Sequence, residues 1–289
     1  MSATIQLTFG VGVPASAAPG DDPVGLAQHA ERLGYDFVSV ADHPCGSGPS
    51  YEAATVLTWI AAHTSRIKVA SRVLAVPFRR PAMVAKVAAS LDLLSGGRFI
   101  LGLGAGYSDE EVAAVGAPAL SPAEKVDGLA EAIQVIRGAW TVSGYTQHGD
   151  HHSVLGLEME PRPAQPIPVW LGTFGPRALA VTGRLADGWI PSLGYVPAEE
   201  LPAMRRRVDT AARDAGRRPE DIRGILNAAI RIDPDAGPRP DVITGPVKQV
   251  VSQLQDLVGL GFTGFNFNFS DPDRITNMRR VAEEVLPAL

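Results

Sequence analysis

The sequence predicts an α/β fold of the TIM-barrel kind, (β/α)8, with an insertion after the fourth strand, and three observations carry that expectation. Short apolar, β-branched runs alternate with longer segments of helical spacing from one end of the chain to the other. Eight such pairs fit into 289 residues, the length a single barrel requires. The first strand ends in Gly10, Gly12 and Pro14 without the G-x-G-x-x-G turn that a doubly wound sheet would place there.

In order, the strand segments are Ile5–Val13, Asp36–Ala41, Ile67–Val76, Arg98–Gly104, Pro168–Gly172, Gly188–Pro191, Ile222–Ile232 and Thr263–Phe269. The helices between them are Pro23–Leu33, Tyr51–His63, Pro81–Leu94, Pro122–Trp140, Pro176–Ala186, Ala198–Ala215, Pro246–Leu260 and Pro272–Leu286. Several open with Pro, whose missing N–H is not needed in the first helical turn. Thr141–Gln165 contains YTQHGDHHSV with a Gly149-Asp150 turn, and reads as a hairpin inserted before the fifth strand. Residues 1–289 are expected to form one domain.

Composition narrows the function classes. With 45% hydrophobic and 20% charged residues and a net charge of −5, the chain can bury a full core and offers no electrostatic reason to bind nucleic acid or an anionic membrane. A single cysteine, Cys45, allows no internal disulfide, and no apolar leader opens the sequence; both point to the cytoplasm.

In such barrels chemistry sits where the strands end. The second strand runs into Asp42 and His43, the fourth into GLGAGY with Tyr107, the fifth into GTFGPR. A metal-centre reading lacks ligands, because His43 has no second His on its strand; His148, Asp150, His151 and His152 could hold an ion but read better as a solvated hairpin. Cys45 as a nucleophile lacks an identifiable base, and a free thiol is the plainer reading. At Gly172, Gly175, Pro176 and Arg177 a strand turns into a helix whose first N–H groups have no partner within the helix. That turn is either an anion seat or only a tight connection.

Four stretches carry a resemblance: LGYDFVSVADH (33–43), RIKVASRVLAVPFRRPAMVAKVAASLDLLSGGRFILGLGAGY (66–107), PVWLGTFGPRAL (168–179) and GRLADGWIPS (183–192). Together they resemble the bacterial luciferase-like family of flavin- and deazaflavin-dependent oxidoreductases. The resemblance implies a tricyclic cofactor across the barrel mouth. The ADH end of the second strand and the long stretch look most like the F420-dependent members, with FMN as the alternative. It further implies His43 as the proton donor or acceptor, and Asp42 beside the ring. Ser71, Arg72 and Val73 would form a bulge behind the ring, with a cis Arg72–Val73 bond. Phosphate-binding positions would fall at Ala105, Gly106 and Tyr107, and at Gly172, Thr173, Phe174, Gly175, Pro176 and Arg177.

The chain departs from the F420-dependent sugar-phosphate dehydrogenases of that family. They carry a carboxylate where Tyr107 stands and a lysine where this chain reads PSLGY. A sugar phosphate is therefore not expected. With Phe174, Trp189 and Phe267 as apolar wall, the expected substrate is a rather hydrophobic small organic molecule. The expected reaction is hydride transfer with F420. An FMN monooxygenase fed by a flavin reductase, and a barrel that binds cofactor or ligand without turnover, are the alternatives. Relatives usually dimerise, and the alanine-rich helices at 51–63 and 81–94 would permit a homodimer. Gly102 and Gly104 are expected to thin the strand where the barrel interior narrows or a ring approaches, and Gly106 to admit a cofactor tail.

Overall fold

The computed structural model describes residues 6–46, 48–237, 239–270 and 272–289; Ile5, at the head of the first predicted strand, lies outside them. The elements in chain order are β1 (Thr8–Gly12), α1 (Pro23–Arg32), β2 (Phe37–Val40), α2 (Ala53–Ala62), β3 (Lys68–Ser71), β4 (Leu74–Ala75), α3 (Pro81–Ser95), β5 (Phe99–Gly104), α4 (Asp109–Ala114), α5 (Pro122–Thr141), β6 (Tyr145–Gln147), β7 (Val154–Leu157), β8 (Val169–Leu171), α6 (Pro176–Leu185), β9 (Gly188–Trp189), α7 (Leu201–Asp214), β10 (Arg223–Ile232), β11 (Val242–Gly245), α8 (Val247–Gly259), β12 (Gly264–Asn268) and α9 (Arg274–Arg280).

Local chemistry sets the helix ends. Asp22 caps α1 by accepting from Gly25 N, with Pro23 in the first turn. Ser121 and Glu124 form a reciprocal capping box on α5, and Gly96, at φ 73°, closes α3.

The parallel strands follow one another as β10, β12, β1, β2, β3, β5, β8, β9 and return to β10, so the sheet closes into the barrel the sequence predicts. β4 continues the third barrel strand, and β11 adds to the far end of β10 beyond the barrel. The hairpin expected in the insertion is present as antiparallel β6 and β7. Two elements were not anticipated, the short acidic helix α4 and strand β11. No helix among the described residues is long and apolar enough to cross a membrane.

Alternation along the strands separates two cores. Phe37, Ala70, Ile100, Trp170, Ile190 and Ile225 pack together inside the barrel, while Val38, Val40, Val69, Leu101, Leu103, Phe265 and Phe267 join the larger core shared with the helices. Phe267 and Trp189 are thus fully buried outside the mouth, which corrects their expected place in the substrate wall. Phe267 has the opposite parity from Asn266 and Asn268, and Trp189 stacks on Phe262 while its Nε1 donates to Thr173 O.

Candidate active site

A cavity of about 320 Å3 opens where the strands end, lined on one side by Asp42, His43, Arg72 and Val73 and on the other by Gly172, Thr173, Phe174 and Gly175. Its back wall is the break in the third strand. Ala70 pairs with Ile100 and Leu74 with Leu103, so three residues on one strand, Ser71–Val73, oppose two on its neighbour, a bulge. The Arg72–Val73 peptide bond is cis, as the resemblance implied.

The bulge explains the glycines of the fourth barrel strand. Ser71 Oγ accepts from Gly102 N at 2.8 Å and donates to Gly102 O at 2.9 Å, replacing lost ladder bonds. A Cβ on Gly102 would overlap the Ser71 carbonyl oxygen, and one on Gly104 would lie 2.7 Å from a Val73 methyl. Both glycines make room for the bulge, where the neighbouring strand crowds the barrel interior. Gly106 has φ 87°, and a Cβ there would lie 2.8 Å from the Pro77 ring; its constraint is the turn itself.

Asp42 borders the cavity, but its buried carboxylate is already committed. Arg79 binds both its oxygens, at 2.6 and 2.9 Å, and Ala75 N donates to it at 3.0 Å. Arg79 also bonds Glu52 at 2.5 Å, and although burial works against its charge, these two carboxylates hold its pKa above the ordinary value. The cluster ties the end of β2 to the segment after β4 and so fixes the backbone that presents His43.

His43 is more than half exposed, and its Nδ1 lies 2.9 and 3.2 Å from the two carboxylate oxygens of Glu111. Ser108 caps α4 by accepting from Glu111 N, which aims that carboxylate at the histidine. The bond fixes which ring nitrogen faces Glu111 and leaves Nε2 available for a proton. Sequence reasoning did not single out Glu111. Its signal was present as Ser-x-x-Glu after the fourth strand, a spacing that reads first as a helix cap.

Opposite, α6 begins at Gly175 with no side-chain cap, so its first-turn N–H groups point outward at the positive end of the helix. Gly172, Thr173, Phe174, Gly175 and Ala178 line the cavity there. Pro176 and Arg177 stand beyond the lining, Arg177 paired with Asp127 at 2.8 Å, and Ser71, the first residue of the bulge, is buried behind Arg72 and Val73 and does not line the cavity. Ala105, Gly106 and Tyr107 line the near rim, where α4 contributes Asp109, Glu110 and Glu111 in its first turn. Tyr107 and Phe174 each pack against Tyr195, with centroids 5.4 and 6.0 Å away, making an exposed aromatic collar.

In the insertion, Glu131 accepts from Asp150, His151 and His152 backbone N–H groups at 3.1, 2.8 and 2.7 Å. The loop is wrapped around a carboxylate. Among the described residues, Cys45 Sγ finds one weak partner, Glu111 O at 4.0 Å.

Residues 1–237 match the family described as luciferase-like monooxygenase. This chain belongs to the luciferase-like family. A relative named F420-dependent glucose-6-phosphate dehydrogenase, from Gordonia bronchialis, is 33% identical over 78% of this chain and 69% of its own length. Another of that name, from Microbacterium testaceum, is 29% identical over 80% of this chain and 70% of its own. Among solved structures, an F420-dependent secondary alcohol dehydrogenase in complex with an F420-acetone adduct superposes with a TM-score of 0.87 at 19% identity, over 98% of this chain and 99% of that one. That likeness bears on the fold of this luciferase-like chain.

Proposed function

We propose that this chain is an F420-dependent oxidoreductase that moves a hydride between the coenzyme and a small organic substrate, with His43 handling the accompanying proton. The observation that carries the reading is the His43–Glu111 pair on one side of a cavity whose other side is the uncapped start of α6. A ring with a phosphate-bearing tail fits that division. The α6 start offers unpaired N–H groups to the phosphate, whereas the Tyr107 rim, next to three acidic residues of α4, is a poor seat for it. Val73 and Ile190 give the ring an apolar bed.

When bound, the deazaflavin supplies a carbon hydride centre that reacts poorly with oxygen, unlike the N5 of FMN. The chain's residues do the rest. Glu111 fixes the imidazole of His43, His43 Nε2 gives or takes the proton, and the collar of Tyr107, Phe174 and Tyr195 shields the reacting face from water. Tyr107, in place of a carboxylate, argues against a sugar phosphate. The related reading is an FMN monooxygenase with a partner reductase, of which the family's description supports the monooxygenase part.

Pairing of two copies through α2 and α3 belongs to the same proposal. Trp59, Met83, Val87 and Leu94 are exposed there, at helical spacing on α3, an apolar patch in search of a cover. Steady-state turnover of reduced or oxidised F420 with a panel of alcohols, ketones and enones tests the reading. Hydride exchange that is lost in His43→Ala supports it; oxygen-dependent turnover with reduced FMN and none with F420 overturns it.

A further inference from the structure

The floor of the cavity holds a cation that has no counter-ion among the described residues. Arg72 lines it, partly buried, and its Nε donates to Ser39 Oγ at 3.1 Å and its Nη1 to Asn227 Oδ1 at 3.3 Å. Every group around it is neutral. Ser39 Oγ donates to Asn266 Oδ1 at 2.7 Å; Asn266 and Asn268 amides donate to Asn227 Oδ1 at 2.8 and 2.9 Å; Asn227 Nδ2 donates to Ser192 Oγ at 2.8 Å. Asn227 Oδ1 therefore already accepts three bonds. Of the guanidinium's five N–H donors, two find partners among the described residues.

The carboxylates bordering the cavity are spoken for, Asp42 by Arg79 and Glu111 by His43. Burial pushes the Arg72 pKa down to about 10, with Tyr195 working the other way, which still leaves it charged at neutral pH. Desolvated cations are usually paired, because an unpaired one is costly to bury. Here β2 and β10 contribute two neutral acceptors, Ser39 Oγ and Asn227 Oδ1, that orient the fork without discharging it.

We propose that the substrate carries a carboxylate that docks on Arg72, its apolar body lying against the aromatic collar of Tyr107, Phe174 and Tyr195, on the side of the cavity that the ring on Val73 and Ile190 leaves open. The inference rests on the oxidoreductase reading for the word substrate, and it revises the expectation of a merely hydrophobic molecule. A planar fork with free donors matches a carboxylate in two parallel bonds. A phosphate dianion fits less well, because the floor supplies one positive charge and the open helix start of α6 lies on the opposite wall.

Isothermal titration of the protein, alone and saturated with F420, against benzoate and phenylacetate and their primary amides tests this. The expected result is carboxylate binding at least about tenfold tighter than amide binding, with the preference gone in Arg72→Gln. Asn227→Asp, which puts an internal counter-ion beside the guanidinium, is expected to abolish the preference while keeping Arg72. Equal binding of acid and amide, or a preference that survives in Arg72→Gln, overturns the proposal. So does an Arg72→Gln variant that loses F420 about tenfold while the wild type shows no preference for acids, since the seat then serves an oxyanion of the cofactor. Failure of the chain to bind F420 or FMN strikes the oxidoreductase reading alone, because the acid preference is read on the protein without cofactor.

Discussion

Ser71 and Gly102 are joined through one hydroxyl that both accepts from and donates to the glycine backbone, at 2.8 and 2.9 Å. This side-chain bridge holds the third strand away from the fourth at the bulge that forms the back of the cavity. Gly102→Ala drives a methyl into the Ser71 carbonyl oxygen. Overpacking of this kind costs about 1–3 kcal/mol, so thermal unfolding is expected several degrees lower, with weaker cofactor binding in the molecules that remain folded. An unchanged unfolding temperature and cofactor affinity would show that the bulge does not depend on the missing side chain.

In the proposed reaction Glu111 would act through His43. Glu111→Gln keeps a hydrogen bond but loses the charge beside the imidazole, and is expected to lower kcat by about tenfold to a hundredfold with little change in KM, since misplacement of a catalytic group acts on the chemical step. His43→Ala is expected to lose about a hundredfold or more. If the double variant loses the product of the two factors, the residues act independently and the pairing argument fails.

The insertion has a pH signature. Burial alone would raise the Glu131 pKa, but the backbone N–H groups of His152, His151 and Asp150 hold it below the ordinary value of 4.5. A carboxylate with a depressed folded pKa contributes stability that is present above its unfolded pKa and lost as pH falls through the folded one. Hydrogen-exchange protection of residues 150–152 is thus expected to decline below pH 4.5 in the wild type. In Glu131→Gln it should be lower throughout and flat across that window; the same slope in both proteins would assign the pH dependence elsewhere.

Trp59 and Leu94 stand 60% and 80% exposed on α2 and α3. Leu94→Glu is expected to convert a dimer to a monomer in sedimentation or light scattering without changing the unfolding of the monomer. A wild type that is monomeric at high concentration would refute the pairing.

The alternation of strand and helix made the barrel legible, because each inner strand needs an apolar run and each outer helix a 3.6-residue stripe. The interruption of the third strand was not legible from Ile67–Val76 as a run of residues; it entered through the resemblance alone. Parity carried more information than was used. Asn266 and Asn268 alternate with Phe265 and Phe267, and Asn227 sits within the apolar run of β10. Polar residues at every second place on a buried strand point into the barrel, so the Arg72 network was written there in period two. Glu111 stayed hidden because its helix is six residues long and its contact with His43 spans 68 positions, a distance no local pattern reports.

Equilibrium titration of the purified protein with F420 and with FMN, each followed by fluorescence, tests the central claim most directly. Binding of F420 in the micromolar range or tighter, with FMN weaker, is the predicted result. Tight binding of FMN with none of F420 would contradict it.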